Sequence, residues 1–105
     1  MDLNNKVAVV TGGASGLGRA AAQELSDRGA TLVIIDMNAE ASAKAVEELG
    51  ADNTHFISLD VSNGPDVEAA FDKITADLGR VDVCVNCAGI GVAINQHEVG
   101  SLFVH

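Results

Sequence analysis

Four consecutive apolar residues, Val7-Ala8-Val9-Val10, run directly into Thr11-Gly12-Gly13-Ala14-Ser15-Gly16-Leu17-Gly18. A strand that is apolar throughout has both faces covered, as happens inside a parallel sheet flanked by helices. Glycines at Gly12, Gly16 and Gly18 let the chain turn sharply after that strand. The Ala-rich stretch from Gly16 to Arg28 then reads as a helix ended by Gly29. Leu32-Val33-Ile34-Ile35 repeats the apolar pattern of the first run. Such an opening constrains the chain to the α/β class.

The alternation continues. Phe56-Ile57 and Val81 to Val85 read as third and fourth strands. Val67, Ala70, Phe71, Ile74 and Leu78 recur at a spacing that puts them on one helix face. Asn63 is placed to cap that helix, with Pro65 in its first turn and Asp66 near its positive end. Ala39, Ala43, Val46 and Leu49 suggest a weaker stripe on an intervening helix stopped by Gly50. The expected architecture is therefore β-α-β-α-β-α-β, half of a Rossmann-type doubly wound parallel sheet in the order 3-2-1-4. Residues 1–93 would form this truncated domain. The stretch from Ile90 to His105 shows no period, so residues 94–105 are expected to be an irregular tail. The fourth strand would then carry an open apolar edge, a template for self-association or pairing with another chain.

Composition narrows the function classes. The chain has 105 residues, room for one small domain, and its 48% apolar content argues against disorder. A net charge of -9 repels phosphate backbones and anionic lipid heads, which disfavours nucleic-acid and membrane-surface roles. No apolar segment is long enough to span a bilayer. Met1 to Lys6 resembles neither a signal peptide nor a transit leader, so a cytoplasmic location is expected. Cys84 and Cys87 form a C-x-x-C, but within a strand that spacing sends the side chains to opposite faces. Neither thiol sits at a helix N-terminus, where a redox thiolate is stabilised. His97 and His105 do not complete a zinc-finger spacing, and no metal site is expected.

With so few cations, an anionic ligand must be held by backbone amides. The turn after the first strand supplies them: glycine lets the backbone approach a pyrophosphate, and the following helix offers unpaired N–H groups. A Gly-rich turn can also be no more than a tight corner, but the strand before it and the helix after it favour phosphate binding. Asp36 closes the second strand, eighteen residues beyond Gly18. There an acid accepts hydrogen bonds from the hydroxyls of an adenosine ribose and repels a 2′-phosphate, which favours NAD over NADP. The same position also suits a cap for the next helix, a role open to Asp36 or Asn38.

Thr11-Gly12-x-x-x-Gly16-x-Gly18, Asp60-Val61 after the third strand and Asn86-Cys87-Ala88-Gly89 after the fourth together resemble the short-chain dehydrogenase/reductase family. The order and spacing match over about residues 6 to 93. The wording, with Gly79-Arg80-Val81-Asp82-Val83, is most similar to the subgroup of NAD-dependent 3-hydroxyacyl-CoA and 17β-hydroxysteroid dehydrogenases. The resemblance implies that Ser15 and Leu17 meet the pyrophosphate side and Asp36 holds the ribose. Asp60 would bond the adenine amino group with Val61 beside the ring, and Asn86, Cys87, Ala88 and Gly89 would line the cofactor. The blander alternatives are a strand-end cap for Asp60 and a buried amide tying strands together for Asn86. The resemblance also admits a mitochondrial matrix location.

The family's hydride transfer uses a tyrosine as acid/base, a lysine that lowers its pKa and a serine that steadies the substrate oxygen. This chain has no tyrosine, and its only lysines are Lys6, Lys44 and Lys73, all within the cofactor half. No catalytic residue is therefore assigned. The expectation is the cofactor-binding half of an NAD-dependent oxidoreductase acting on hydroxyacyl-CoA or hydroxysteroid substrates, inactive alone. The alternative is a non-catalytic NAD-binding or partner-modulating module.

Overall fold

Helices and strands alternate as β1 (Val7–Thr11), α1 (Gly16–Asp27), β2 (Thr31–Asp36), α2 (Ala39–Leu49), β3 (Thr54–Ser58), α3 (Gly64–Leu78), β4 (Val81–Asn86) and β5 (Val99–Val104). The computed structural model describes residues 2–87 and 99–104. All five strands pair in parallel, in the order β3-β2-β1-β4-β5. β1 lies centrally, with Val9 opposite Val33 of β2 and Cys84 of β4. The strand order reverses direction between β1 and β4, where open parallel sheets form a crevice at their carboxyl ends.

The apolar runs are buried on both faces, as their lack of alternation requires. On one face Val7, Val9, Val33, Ile35 and Cys84 pack beneath Val67, Ala70, Phe71 and Ile74 of α3. On the other, Ala8, Val10, Leu32, Val83 and Val85 pack beneath Ala22 and Leu25 of α1, with Leu49 of α2 at the margin. Small residues along α1 allow it to lie close to the sheet. Val81 packs in the α3 layer although Val83 and Val85 face the opposite way. The pairing of β4 with β5 is irregular there, Val81 lying opposite Val99 and Val83 opposite Leu102, so that β5 carries one extra residue.

The helix ends follow the chemistry of their residues. Asn38 caps α2 by accepting from the Ala41 N–H, and Asn63 caps α3 by accepting from the Asp66 N–H. Gly79 ends α3 in the left-handed region, at φ 84°.

The expectations for α2, for the β4 edge and for the tail are corrected. The buried face of α2 runs through Ser42 and Ala45, not through Ala39 and Ala43. Ser42 satisfies its hydroxyl on the Asn38 carbonyl one turn back, at 2.8 Å, so a polar residue can occupy the core side. The third strand forms around Phe56-Ile57 as expected, and Phe56, 39% exposed, lines a groove between β3 and α3, because β3 is the last strand on its side of the sheet. The edge of β4 is not open: β5 pairs along it, with Val83 opposite Leu102 and Val85 opposite Val104. Residues 99–104, expected to be irregular, thus extend the sheet.

Candidate functional site

The loops after β1, β2, β3 and β4 all emerge at the same edge of the sheet, because the strands are parallel. Thr11 ends β1 fully buried, and its hydroxyl donates to Asn86 Oδ1 at 2.6 Å. Asn86 ends β4 directly opposite and is also fully buried. The Cys87 N–H donates to the Thr11 carbonyl at 3.0 Å, extending the β1–β4 pairing one residue beyond the strands. The buried-amide role for Asn86 is thus observed at the floor of the crevice.

Above that floor the loop from Gly12 to Ser15 turns into α1. Gly12 has φ 69°, in the region favourable to glycine. A Cβ built on Gly18 would overlap the Gly12 carbonyl oxygen, so this position admits no side chain while the turn keeps its shape. Ser15 stands at the N-cap of α1 in extended conformation, and its side chain makes no capping hydrogen bond. The first turn of α1 carries no acidic residue, whereas α2 has Glu40 and α3 has Asp66 there. The positive end of α1 is therefore not neutralised by its own first turn. Leu17 beside it is 85% exposed, and Met37 at the end of β2 is 70% exposed.

Asp36 is half-buried. Its Oδ2 accepts from the Ala14 N–H at 3.2 Å and its Oδ1 from the Asn38 N–H at 3.0 Å. The helix-capping alternative falls to Asn38, and Asp36 joins the end of β2 to the glycine loop instead. Asp60 accepts from both the backbone N–H and the hydroxyl of Ser62, at 2.9 and 2.6 Å. Those bonds, the hydroxyl's first, hold its carboxyl below the ordinary carboxylate value. Asp60 also accepts from Asn63 through its carbonyl, so the strand-end turn read from the sequence is present. Val61 packs partly buried against the α3 layer.

Gly12, Ser15, Gly16, Leu17, Gly18, Asp36, Asp60, Val61, Asn86 and Cys87 thus all lie at or just beyond the carboxyl edge. Ala88 and Gly89 fall outside the described residues. Hydrogen bonds join Asp36 to the glycine loop and Asn86 to Thr11, while Asp60 is engaged with its own turn. Two participants were not singled out by sequence. Gly13 presses on the Val10 carbonyl and the Ile34 side chain, where a Cβ would come within 3.1 and 3.2 Å. Ala14 contributes only its amide, which no side-chain pattern reveals. The Gly12-Gly13 doublet was the available signal for the first.

The two thiols are separated by the sheet. Cys84 lies in the α3 layer and Cys87 packs against the α1 layer, so they form neither a disulfide nor a shared site. Burial pushes the Cys84 thiol up to about 12, far from a reactive thiolate. Among the described residues no group of three or more His, Cys, Asp or Glu could hold a metal ion. No helix among them is long and apolar enough to cross a membrane.

Residues 6–101 match the short chain dehydrogenase family. The chain belongs to that family. The 3-hydroxyacyl-CoA dehydrogenase type-2 of Drosophila melanogaster is 38% identical over 103 residues, covering 98% of this chain and 40% of the fly protein. The protein of the same name from Homo sapiens is 46% identical over 93 residues, covering 89% of this chain and 35% of the human one. A metagenomic short-chain oxidoreductase solved in complex with NADP superposes with a TM-score of 0.79 at 34% identity, over 85% of this chain and 41% of that one. The short-chain dehydrogenase pattern therefore continues past the fourth strand and into β5. The chain spans 40% or less of the length of these two curated relatives.

Proposed function

We propose that this chain is the NAD-binding part of a short-chain dehydrogenase acting on hydroxyacyl-CoA or hydroxysteroid substrates, and that it is inactive alone. The observation that carries the reading is the Asp36 carboxylate, set at the end of β2 and bonded to the Ala14 amide of the glycine loop. A carboxylate in that place accepts from ribose hydroxyls and repels a 2′-phosphate. The metagenomic relative's NADP makes this preference a point to be tested for the present chain.

The residues fit a dinucleotide. Gly18 keeps the turn clear of side chains, the first turn of α1 offers amides without a competing acid, and Asp60 and Val61 flank the outer end of the crevice. Leu17 and Met37 supply exposed apolar surface beside the loop. Bound there, the nicotinamide would supply the hydride chemistry. This chain's residues would bind and orient it, and with no tyrosine in the sequence they hold no counterpart of the family's proton donor. Cytoplasm or mitochondrial matrix as its location belongs to the same proposal.

Fluorescence titration tests the reading directly, because a chain without Trp or Tyr contributes little emission of its own. NADH is expected to bind more tightly than NADPH by roughly tenfold, the scale of one added like-charge contact near a surface. Equal or tighter binding of NADPH would reject NAD as the cofactor. Turnover of a 3-hydroxyacyl-CoA or hydroxysteroid with NAD by this chain alone would reject its inactivity.

A further inference from the structure

We infer that Asp36 is a positioning residue that sets the shape of the glycine loop before any ligand arrives. The inference rests on reading this edge as the dinucleotide site and deepens it. Three successive loop residues are fastened to three successive residues of β2. The Gly12 N–H donates to the Ile35 carbonyl at 2.8 Å, Gly13 sits so near Ile34 that a Cβ on it would come within 3.2 Å of that side chain, and the Ala14 N–H donates to Asp36 Oδ2 at 3.2 Å. The first two fastenings use backbone or simple packing. The third is a side-chain hydrogen bond, and it holds the last residue before the N-cap of α1. The other oxygen of Asp36 meanwhile holds the Asn38 amide at the start of α2. One short carboxylate therefore bridges the loop and the next helix.

The chemistry allows both jobs. Each carboxylate oxygen has two acceptor positions, so one amide on each leaves capacity for a ligand hydroxyl. Asn at this position would keep one acceptor and turn an NH2 toward the remaining backbone donor. Glu would keep the charge but carry its oxygens one methylene further out. Either change breaks the bridge between the loop and the start of α2, Asn by losing one of the two amide bonds and Glu by displacing both, even when no ribose is present.

Charge and positioning predict opposite results for a ligand that touches only the loop. Inorganic pyrophosphate carries no ribose. Losing the negative charge in Asp36→Asn should tighten its binding if Asp36 acts only through charge. If Asp36 positions the loop, both Asp36→Asn and Asp36→Glu should weaken it, by roughly three- to tenfold for one hydrogen bond. The experiment is an NMR titration of the ligand-free protein and both variants with pyrophosphate, with amide exchange measured at Ala14 and along α3. Weaker pyrophosphate binding and faster Ala14 exchange, with α3 exchange unchanged, support the inference. Unchanged or tighter pyrophosphate binding in Asp36→Asn overturns it, as does an Ala14 amide equally exposed in wild type and variants. A parallel NADH titration separates the two readings. Wild type that binds neither NADH nor pyrophosphate rejects the dinucleotide site, and Ala14 exchange then still decides whether Asp36 holds the loop.

Discussion

Gly18 shows how completely a single residue can be dictated by its neighbour. Its missing side chain makes room for the Gly12 carbonyl, and nothing larger fits without moving the turn. Gly18→Ala is expected to displace the loop and lower NADH affinity by about fivefold or more, the effect of strain of about 1–3 kcal/mol at a functional turn. A titration showing unchanged affinity would contradict this. Cys84 gives a second expectation at this scale. With its thiol pushed up to about 12 by burial, it should not react with a disulfide reagent at pH 8 in the folded protein. Thiol counting before and after denaturation checks it, and two fast-reacting thiols in the native state would refute it. The glycines at positions 12, 16 and 18 and the acid at position 36 were readable from spacing. The bond from Ala14 to Asp36 was not, because a backbone amide has no signature in sequence and its partner is 22 residues away.

Helices and strands were legible where their periods were strong and misread where they were weak. α3 shows the stripe of Val67, Ala70, Phe71 and Ile74 that its spacing announces, and its cap Asn63 accepts from Asp66 as expected. Phe71→Ala is expected to cost about 3–5 kcal/mol, since it empties the largest side chain of that layer. Asn63→Ala is expected to cost about 1 kcal/mol by orphaning the Asp66 amide. Urea unfolding of the two variants measures both, and a cap variant costing as much as the core variant would upset the ranking. In α2, alanines outnumber larger apolar residues, so hydropathy marks its buried face only weakly. Ser42 takes a place on that face through a bond to Asn38 that hydropathy does not register. β5 escaped notice for a related reason: Val-Gly-Ser-Leu-Phe-Val neither alternates nor runs apolar throughout.

Across the molecule, distant segments are tied by a few polar clasps around the two apolar layers. Asp82 at the start of β4 accepts from the Val7 N–H of β1 at 2.9 Å and from Arg80 at 2.6 and 2.9 Å. Burial opposes its charge, but Arg80 and the Val7 amide prevail and hold the carboxyl below its ordinary value. A carboxylate lowered by folding stabilises the protein above its unfolded pKa of about 3.9 and loses that contribution as pH falls through the folded value. Asp82→Asn should therefore lower stability at pH 7 and reduce the difference between pH 7 and pH 3. Unfolding curves at the two pH values check this, and an undiminished acid dependence would exclude Asp82 as a source. The arrangement of strands was legible in order from β3 to β4, because each crossover had its own helix. The covering of β4 was not, since it depends on residues with no period. Finally, the central sheet stands as a partition between two thiols, one in each layer. Pulsed alkylation during partial unfolding would follow each separately, Cys84 recording release of α3 and Cys87 recording release of α1. A protein that opens in one step would label both together, whereas one whose layers peel in turn would keep a dated record of which came away first.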